Sequence, residues 1–421
     1  MKRVCCVVIV LMGLLFSIRS AVKADSTDIQ SVLASGHRPF FPGELLVKYK
    51  KTVSRERAAE LHRNFGVSDV RGGYDNSYQI ISVSPGTEGE MAEAYGKRAE
   101  IEYAEPNYYY SLFATPDDQL YPLQWNFPLI NMPDAWDVST GEGVTVAVVD
   151  TGVNPFGGDR FGRGLGNRVL LGYNAIGKTR GGLDLESHGT LVAGIIGQET
   201  NNGIGTAGIA YNAKILPVKV LGFTGQGLNS WIINGIRWAA NHGADIINLS
   251  LGGFFRSRAL EDAVNYAYEK GVTVVAAAGN DGMSEVIYPA AFENCIAVGA
   301  VSYDKTLTDY SNYGEALDLV APGGNVNEDQ NGDGFGDGIL QEGFVRSGFF
   351  GFEWNYWYVT GTSMASPHVA GVAALIKSRH PEYGPDEIRQ VLQETAEDLG
   401  APGWDERYGY GLVDAYAAVS Y

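Results

Sequence analysis

Cysteine is scarce in this chain. There are three in 421 residues, and two of them, Cys5 and Cys6, fall within an apolar N-terminal run. With only Cys295 beyond that run, an internal disulfide framework is excluded for the rest of the chain. Cys295 stands in the apolar string Asn294-Cys295-Ile296-Ala297-Val298-Gly299, which reads as a buried structural thiol rather than a nucleophile. Positive charge is also in short supply: 31 Lys and Arg against 49 Asp and Glu, a net charge of −18. A nucleic-acid-binding surface should be basic, so that class of partner is excluded. Long apolar runs are lacking too. Val4 to Phe16, after Lys2 and Arg3, is short for a spanning helix, and nothing later is long and apolar enough to cross a bilayer. Followed by Val22-Lys23-Ala24, the run reads as an export signal cut before Asp25. The expectation is a secreted protein without stable membrane insertion.

Glycine, by contrast, is plentiful at 55 residues, which suits a compact protein with many tight turns. A chain of this length can bury a large core and holds more than one domain. Residues 43 to 111 have mixed periodicity. Glu44 to Lys50 alternates like a strand. Ser54 to Phe65 has helical spacing, with Ser54 as N-cap and Ala58, Leu61, His62 and Phe65 on one side. Val67 to Arg71 and Ser77 to Val83 read as a strand pair, Thr87 to Arg98 as a helix, and Ile101 to Tyr110 as a last strand. The order β-α-β-β-α-β is a small ferredoxin-like α+β unit. Ala114 to Pro122, with its Pro and Asp residues, reads as a linker.

From Gly143 onward, near-continuous apolar runs alternate with helical stretches. The runs are Val144–Val149, Val169–Tyr173, Ile215–Val220, Ile246–Leu251, Val272–Ala278, Ile296–Val301 and Leu317–Val320. Such strands suit a parallel sheet buried on both faces, so the expected fold is α/β, with a doubly wound, mostly parallel sheet of about seven strands.

Three segments of this part carry reactive side chains beside tight backbone. Asp150-Thr151-Gly152 ends the first strand, where ligand crevices of open parallel sheets lie. A carboxylate there can hold an imidazole and stabilise its charge. The same tripeptide marks aspartic proteases, but their chemistry needs a second such carboxylate. His188-Gly189-Thr190 opens a helical run to Gly197 and supplies a candidate general base. Gly361-Thr362-Ser363-Met364-Ala365-Ser366-Pro367-His368 puts Ser363 at the start of a helix to about Lys377, where free N–H groups and the dipole favour a nucleophile. Pro367 is expected in the first turn, where its missing N–H costs little. Asn280, after the strand ending Ala278-Gly279, reads either as a turn residue or as a donor to an oxyanion.

In the order Asp, His, Ser, these segments resemble the subtilisin-like serine proteases (subtilases, peptidase S8) over roughly residues 115–421. The resemblance implies catalytic Asp150, His188 and Ser363, with Asn280 as oxyanion donor. It implies substrate contacts from Ser250, Leu251 and Gly252 on one edge, Ala277, Ala278 and Gly279 on the pocket's other wall, and Ile287 at its floor. Residues 25–114 would then be the inhibitory, I9-like propeptide, residues 1–24 the signal and residues 115–421 the catalytic domain. Self-cleavage is expected after Phe113 or Ala114. The partners implied are polypeptide substrates and the chain's own propeptide, acting on a monomer. No catalytic metal or organic cofactor is required. A binding or adhesion module on the same fold is the rival expectation, and the presence of all four catalytic residue types speaks against it.

Calcium is the expected structural cofactor, in place of disulfides. Asp329, Asn331, Asp333, Phe335 (through its carbonyl) and Asp337 alternate around Gly332 and Gly334 like the first half of an EF-hand-like loop. Leu340 stands where that loop should end in an acid, so Asp337 or Glu342 is left to supply the last ligand. A second site follows from the resemblance alone. It comprises Thr200, Ile204 and Thr206 through carbonyls, Asn202 through its side chain, Asp159, and Asp118 or Gln119 from the N-terminal arm.

Overall fold

The computed structural model describes residues 21–23, 40–67, 69–72, 77–108, 115–156, 168–347 and 351–421. The chain divides into two units: Thr27–Leu112, and Met1–Ser26 together with Phe113–Tyr421. The first strand, β1 (Ala21–Lys23), belongs to the larger unit.

The smaller unit runs β2 (Phe40–Tyr49), α1 (Arg55–Asn64), β3 (Val70–Gly72), β4 (Gln79–Ser82), α2 (Glu88–Gly96) and β5 (Ile101–Tyr108). Its sheet has the order β3-β4-β2-β5, antiparallel throughout. Period-two alternation in β2 turns Leu45 and Val47 inward against Ile81. The Ser54 side chain accepts from Arg57 N and starts α1, whose inner face buries Ala58, Leu61 and His62. The His62 ring spans two elements, bonding Tyr95 Oη at 2.9 Å and Gln79 Oε1 at 2.8 Å. Burial holds its pKa below the usual histidine range. The expected ferredoxin-like order is what the backbone adopts.

In the larger unit the strands are β6 (Thr145–Asp150), β7 (Tyr173–Asn174), β8 (Thr179–Arg180), β9 (Lys214–Lys219), β10 (Ile246–Leu249), β11 (Thr273–Ala277), β12 (Ile296–Val301), β13 (Leu319–Pro322), β14 (Ile339–Ser347) and β15 (Gly351–Val359). The long helices among them are α3 (His188–Gly197), α4 (Asn229–Asn241), α5 (Arg258–Glu269) and α6 (Thr362–Arg379). An eight-stranded sheet has the order β13-β12-β11-β10-β6-β9-β7-β8 and is parallel except at β7–β8. Every residue of β6, β10, β11 and β12 is buried, as their unbroken apolar runs require. Each fully buried Val of β6 contributes about 1.5–3 kcal/mol relative to exposure. β6 lies between β9 and β10, where the winding reverses, so a crevice opens at its C-terminal end beside Asp150.

Two elements differ from expectation. Val169–Tyr173 is not a continuous strand: Val169 makes a lone bridge to Ile215, and pairing resumes only at Tyr173. The eighth strand, β8, is a two-residue antiparallel addition that no apolar run announces. Outside the main sheet, β14 and β15 form an antiparallel ribbon, with β1 on its outer edge in the register Ala21↔Val359 to Lys23↔Trp357. Cys295, just before β12, is 1% exposed, and burial pushes its thiol far above the ordinary range. Among the described residues no helix is long and apolar enough to cross a membrane.

Candidate active site

Asp150 ends β6 and is completely buried. Its Oδ1 accepts from Thr151 N at 2.6 Å and meets His188 Nδ1 at 2.8 Å. His188 is the first residue of α3, and α3 reaches Asp150 because Gly189 has no side chain. A Cβ there would stand 2.1 Å from the Gly152 carbonyl oxygen and 3.1 Å from Asp150 Cβ. Ser187, just before the helix, has φ +105°, a left-handed conformation that costs a non-glycine residue free energy. Two partners hold it there: its N–H donates to Asp184 Oδ1 at 3.1 Å, and its Oγ accepts from Phe344 N at 2.8 Å. Asp184 is itself buried and also binds the Thr190 hydroxyl at 2.7 Å. Burial opposes a charge on His188. The charge and hydrogen bond of Asp150, with Glu186 and Asp184 beyond, outweigh it and raise the imidazole to about 9.

Ser363 is the second residue of α6, so its N–H has no intrahelical acceptor. Its hydroxyl donates to the Ser250 carbonyl at 3.3 Å. Gly361, before the helix, has φ +143°, open to glycine alone in practice. Pro367 lies not in the first turn of α6 but at its sixth position, because the helix starts at Thr362. The amide it lacks would have bonded the Ser363 carbonyl. The Ser250 hydroxyl donates to that carbonyl instead, at 2.7 Å, so the proline leaves no orphan acceptor. Asn280 is anchored by its oxygen, which accepts from Thr362 N at 2.8 Å and from the Thr362 hydroxyl at 2.9 Å. Its amide N–H groups are therefore turned away from that anchor and kept as donors.

Ser250, Leu251 and Gly252 line a cleft of about 790 Å³ together with Glu186, His188 and Lys219. Phe223 and Leu228, both exposed, stand on its rim. The pocket-wall residues come together through the backbone. Ile287 N donates to the Ala278 carbonyl at 3.1 Å, and Gly253 and Tyr288 exchange two hydrogen bonds. Ala277 closes β11, Gly279 N donates to Thr362 Oγ1 at 3.3 Å, and Ile287 is buried between these segments.

The two expected calcium loops differ in completeness. In the first, Asp329 accepts from Gly332 N and Gly334 N, Asn331 from Asp333 N, and Asp333 from Phe335 N. Asp337 is buried with its Oδ1 unpartnered, beside the unpartnered Tyr358 hydroxyl, and Phe335 stacks on the Tyr358 ring. Burial raises the carboxyls of both Asp333 and Asp337 above the usual range. Glu342 is not at this loop; it lies by Gln198, whose Nε2 is 3.5 Å away. In the second loop, Asp118 accepts from Asn201 N at 2.8 Å, and burial pushes its carboxyl up to about 6. Asn202 Oδ1 accepts from Ile204 N, and its Nδ2 is buried without a partner. The Thr200 hydroxyl donates to the Gln198 carbonyl and that of Thr206 to Gln341 Oε1. Asp159 lies outside the described residues. Among the described residues, no three His, Cys, Asp or Glu side chains converge into a ready metal cage.

Motif reading missed Thr362, Asp184, Glu186 and Lys219. Thr362 sits inside a motif whose serine alone carries a reactive role. Lys219 did leave a trace, as a lone cation at the end of the apolar run Ile215–Val220.

The Subtilase family profile matches residues 141–411, and that of the fervidolysin N-terminal prodomain matches residues 26–107. A thermophilic serine proteinase of Bacillus sp. strain AK1 is 38% identical over 386 residues, 91% of this chain and 88% of that protein. Thermitase of Thermoactinomyces vulgaris is 37% identical over 308 residues, 73% of this chain and 100% of its own. A solved protease structure from Pseudoalteromonas arctica superposes with a TM-score of 0.64 at 37% identity, covering 73% of this chain and 99% of that one.

Proposed function

The chain belongs to the subtilase family of serine proteases, and we propose that it is a secreted endopeptidase made as a self-processing precursor. In this reading residues 1–24 are an export signal, residues 25–114 a propeptide that assists folding and then inhibits, and residues 115–421 the catalytic domain. The observation that carries it is the 2.8 Å contact of His188 Nδ1 with Asp150 at the switch-point strand. That carboxylate accepts the hydrogen bond of Nδ1–H, which fixes the tautomer and leaves Nε2 as the base.

Ser363 swings its hydroxyl from the Ser250 carbonyl toward His188, which removes the proton as the oxygen attacks the scissile carbonyl. Catalytic contacts of this kind are commonly looser without substrate. The oxyanion is held by the Asn280 amide and Ser363 N–H. His188 then protonates the leaving amine, and water repeats the sequence on the acyl-enzyme. Extended substrate pairs through its main chain with Ser250–Gly252, so sequence preference rests on the Ile287-floored pocket and is broad.

For calcium, the orphaned Asp337 oxygen supports a site at Asp329, Asn331, Asp333, the Phe335 carbonyl and Asp337. The buried Asp118 supports a second with Asn202 and the carbonyls of Thr200, Ile204 and Thr206. A bound ion would supply positive charge to these carboxylates.

The test is to express residues 25–421 in calcium, with and without Ser363→Ala. Mass is followed alongside labelling by a serine-directed phosphonate. The wild type is expected to shed a fragment ending near Ala114 and to label at Ser363, while the variant stays intact and unlabelled. An unprocessed, unlabelled wild type would overturn the reading.

A further inference from the structure

A lysine closes the apolar strand β9, opposite Asp150 in the register of β6 and β9. Lys219 is 8% exposed, yet it lines the active-site cleft, and its Nζ donates to the Thr151 carbonyl. Thr151 is the hub of the pair. Its N–H donates to Asp150 Oδ1, and its Oγ1 accepts from Gly189 N at 2.8 Å, at the start of the His188 helix. We propose that Lys219 is a positioning residue of the reaction: it fixes the Asp150–His188 pair through Thr151 and supplies the positive charge against which His188 works. The inference rests on the reading of His188 as general base.

The charges facing His188 can be named element by element. Asp150 comes from β6, Asp184 and Glu186 from the segment before α3, and Lys219 from β9. Glu186 also accepts from His188 N at 2.8 Å. From α6 come Ser363 and His368. His368 is kept neutral by burial, with hydrogen bonds to Met364 O and Asn126 Nδ2. Glu342 of β14 lies at the opposite, Gln198 end of α3, away from the ring. Three carboxylates therefore stabilise the imidazolium, and Lys219 is the cation set against them. Burial holds the Lys219 ammonium below the usual lysine range, and the same three carboxylates offset that only in part. Without that charge His188 would hold its proton to higher pH and serve as base over a narrower range.

The test compares wild type, Lys219→Met, Lys219→Gln and Lys219→Arg as processed protein. The readouts are kcat/KM on a peptide anilide against pH, and thermal midpoint. In parallel, the His188 ring is titrated by NMR in the Ser363→Ala background. Loss of charge is expected to raise the acid limb and the ring titration by about one pH unit in both uncharged variants. Plateau kcat/KM should fall by about tenfold in Lys219→Met and less in Lys219→Gln, which keeps a donor for Thr151. Lys219→Arg should keep the wild-type limb. A limb and ring titration unmoved in Lys219→Gln, whatever the change in rate or midpoint, would make Lys219 a packing residue and overturn the proposal. Failure of all three variants to fold would do the same. A wild type without turnover would sink the protease reading and with it the catalytic role of Lys219, even where the His188 titration still moves with Lys219.

Discussion

Asn280 is held by its oxygen, and that choice of end decides what it can do. Thr362 occupies the carbonyl twice, which leaves the amide hydrogens to serve as donors. Asn280→Ala is expected to lower kcat by about 10²–10³ with KM within a few-fold, since an oxyanion donor acts mainly in the transition state. Equal loss in kcat and gain in KM would return the residue to a binding role. As the proposed general base, His188 would set the pH profile. Its imidazole is raised to about 9, and only the neutral ring can accept the Ser363 proton. The acid limb of kcat/KM should therefore lie above the ordinary value of about 6.5 for histidine, and a limb at or below that value would contradict the Asp150 pairing. The same proton bears on stability. Its contribution is complete below about 6.5 and is lost as pH rises through about 9, a dependence that His188→Gln should remove from the thermal midpoint. At this scale the candidate triad was legible as a set: Asp150-Thr151-Gly152 and His188-Gly189-Thr190 say little alone, and the string around Ser363 gives them their meaning. Thr362 and Lys219 were not legible, because their meaning depends on a partner 82 residues away in one case and on a strand register in the other.

Helix α3 and the Asp-Thr-Gly turn approach as closely as glycine allows. Gly189→Ala would place a methyl inside the van der Waals radius of the Gly152 carbonyl. It should separate His188 from Asp150 and cost at least about 1–3 kcal/mol, with turnover lost even in the folded fraction. A variant of wild-type midpoint and rate would show that the contact is loose. The 329–337 loop is the other element that awaits a test. Chelation should lower the thermal midpoint, and Asp337→Ala should shrink that drop, because Asp337 is the carboxylate with a buried oxygen left over. An equal drop in both proteins would place the stabilising ion elsewhere. Buried parallel strands were legible because residues covered on both faces must be apolar throughout. β8 was not: two residues joined by a turn carry no periodicity. Val169–Tyr173 misled for the opposite reason, since Val169, Leu170 and Tyr173 pack against the core without a continuous ladder while Leu171 is exposed. Glu342 illustrates a third limit. Its spacing suited the calcium loop, but β14 carries it to Gln198.

The molecule is built as two units with separate cores, and their sequences already differ in rhythm. If residues 25–114 are the propeptide, the separately made fragment should inhibit the processed protease competitively. Denatured residues 115–421 should regain activity faster in its presence. Refolding at the same rate without it would deny the folding role. Fold class was readable from composition and period. The boundaries follow from contacts across the chain, as the placement of β1 with β15 in the larger unit shows. Cys295, sealed at the edge of β12, has one more consequence. A chain beginning at Asp25 carries no other thiol, so it is a blank for chemical labelling. A single exposed substitution, such as Leu171→Cys, would accept a maleimide fluorophore at one address, and maturation could then be watched as a change in that dye's tumbling.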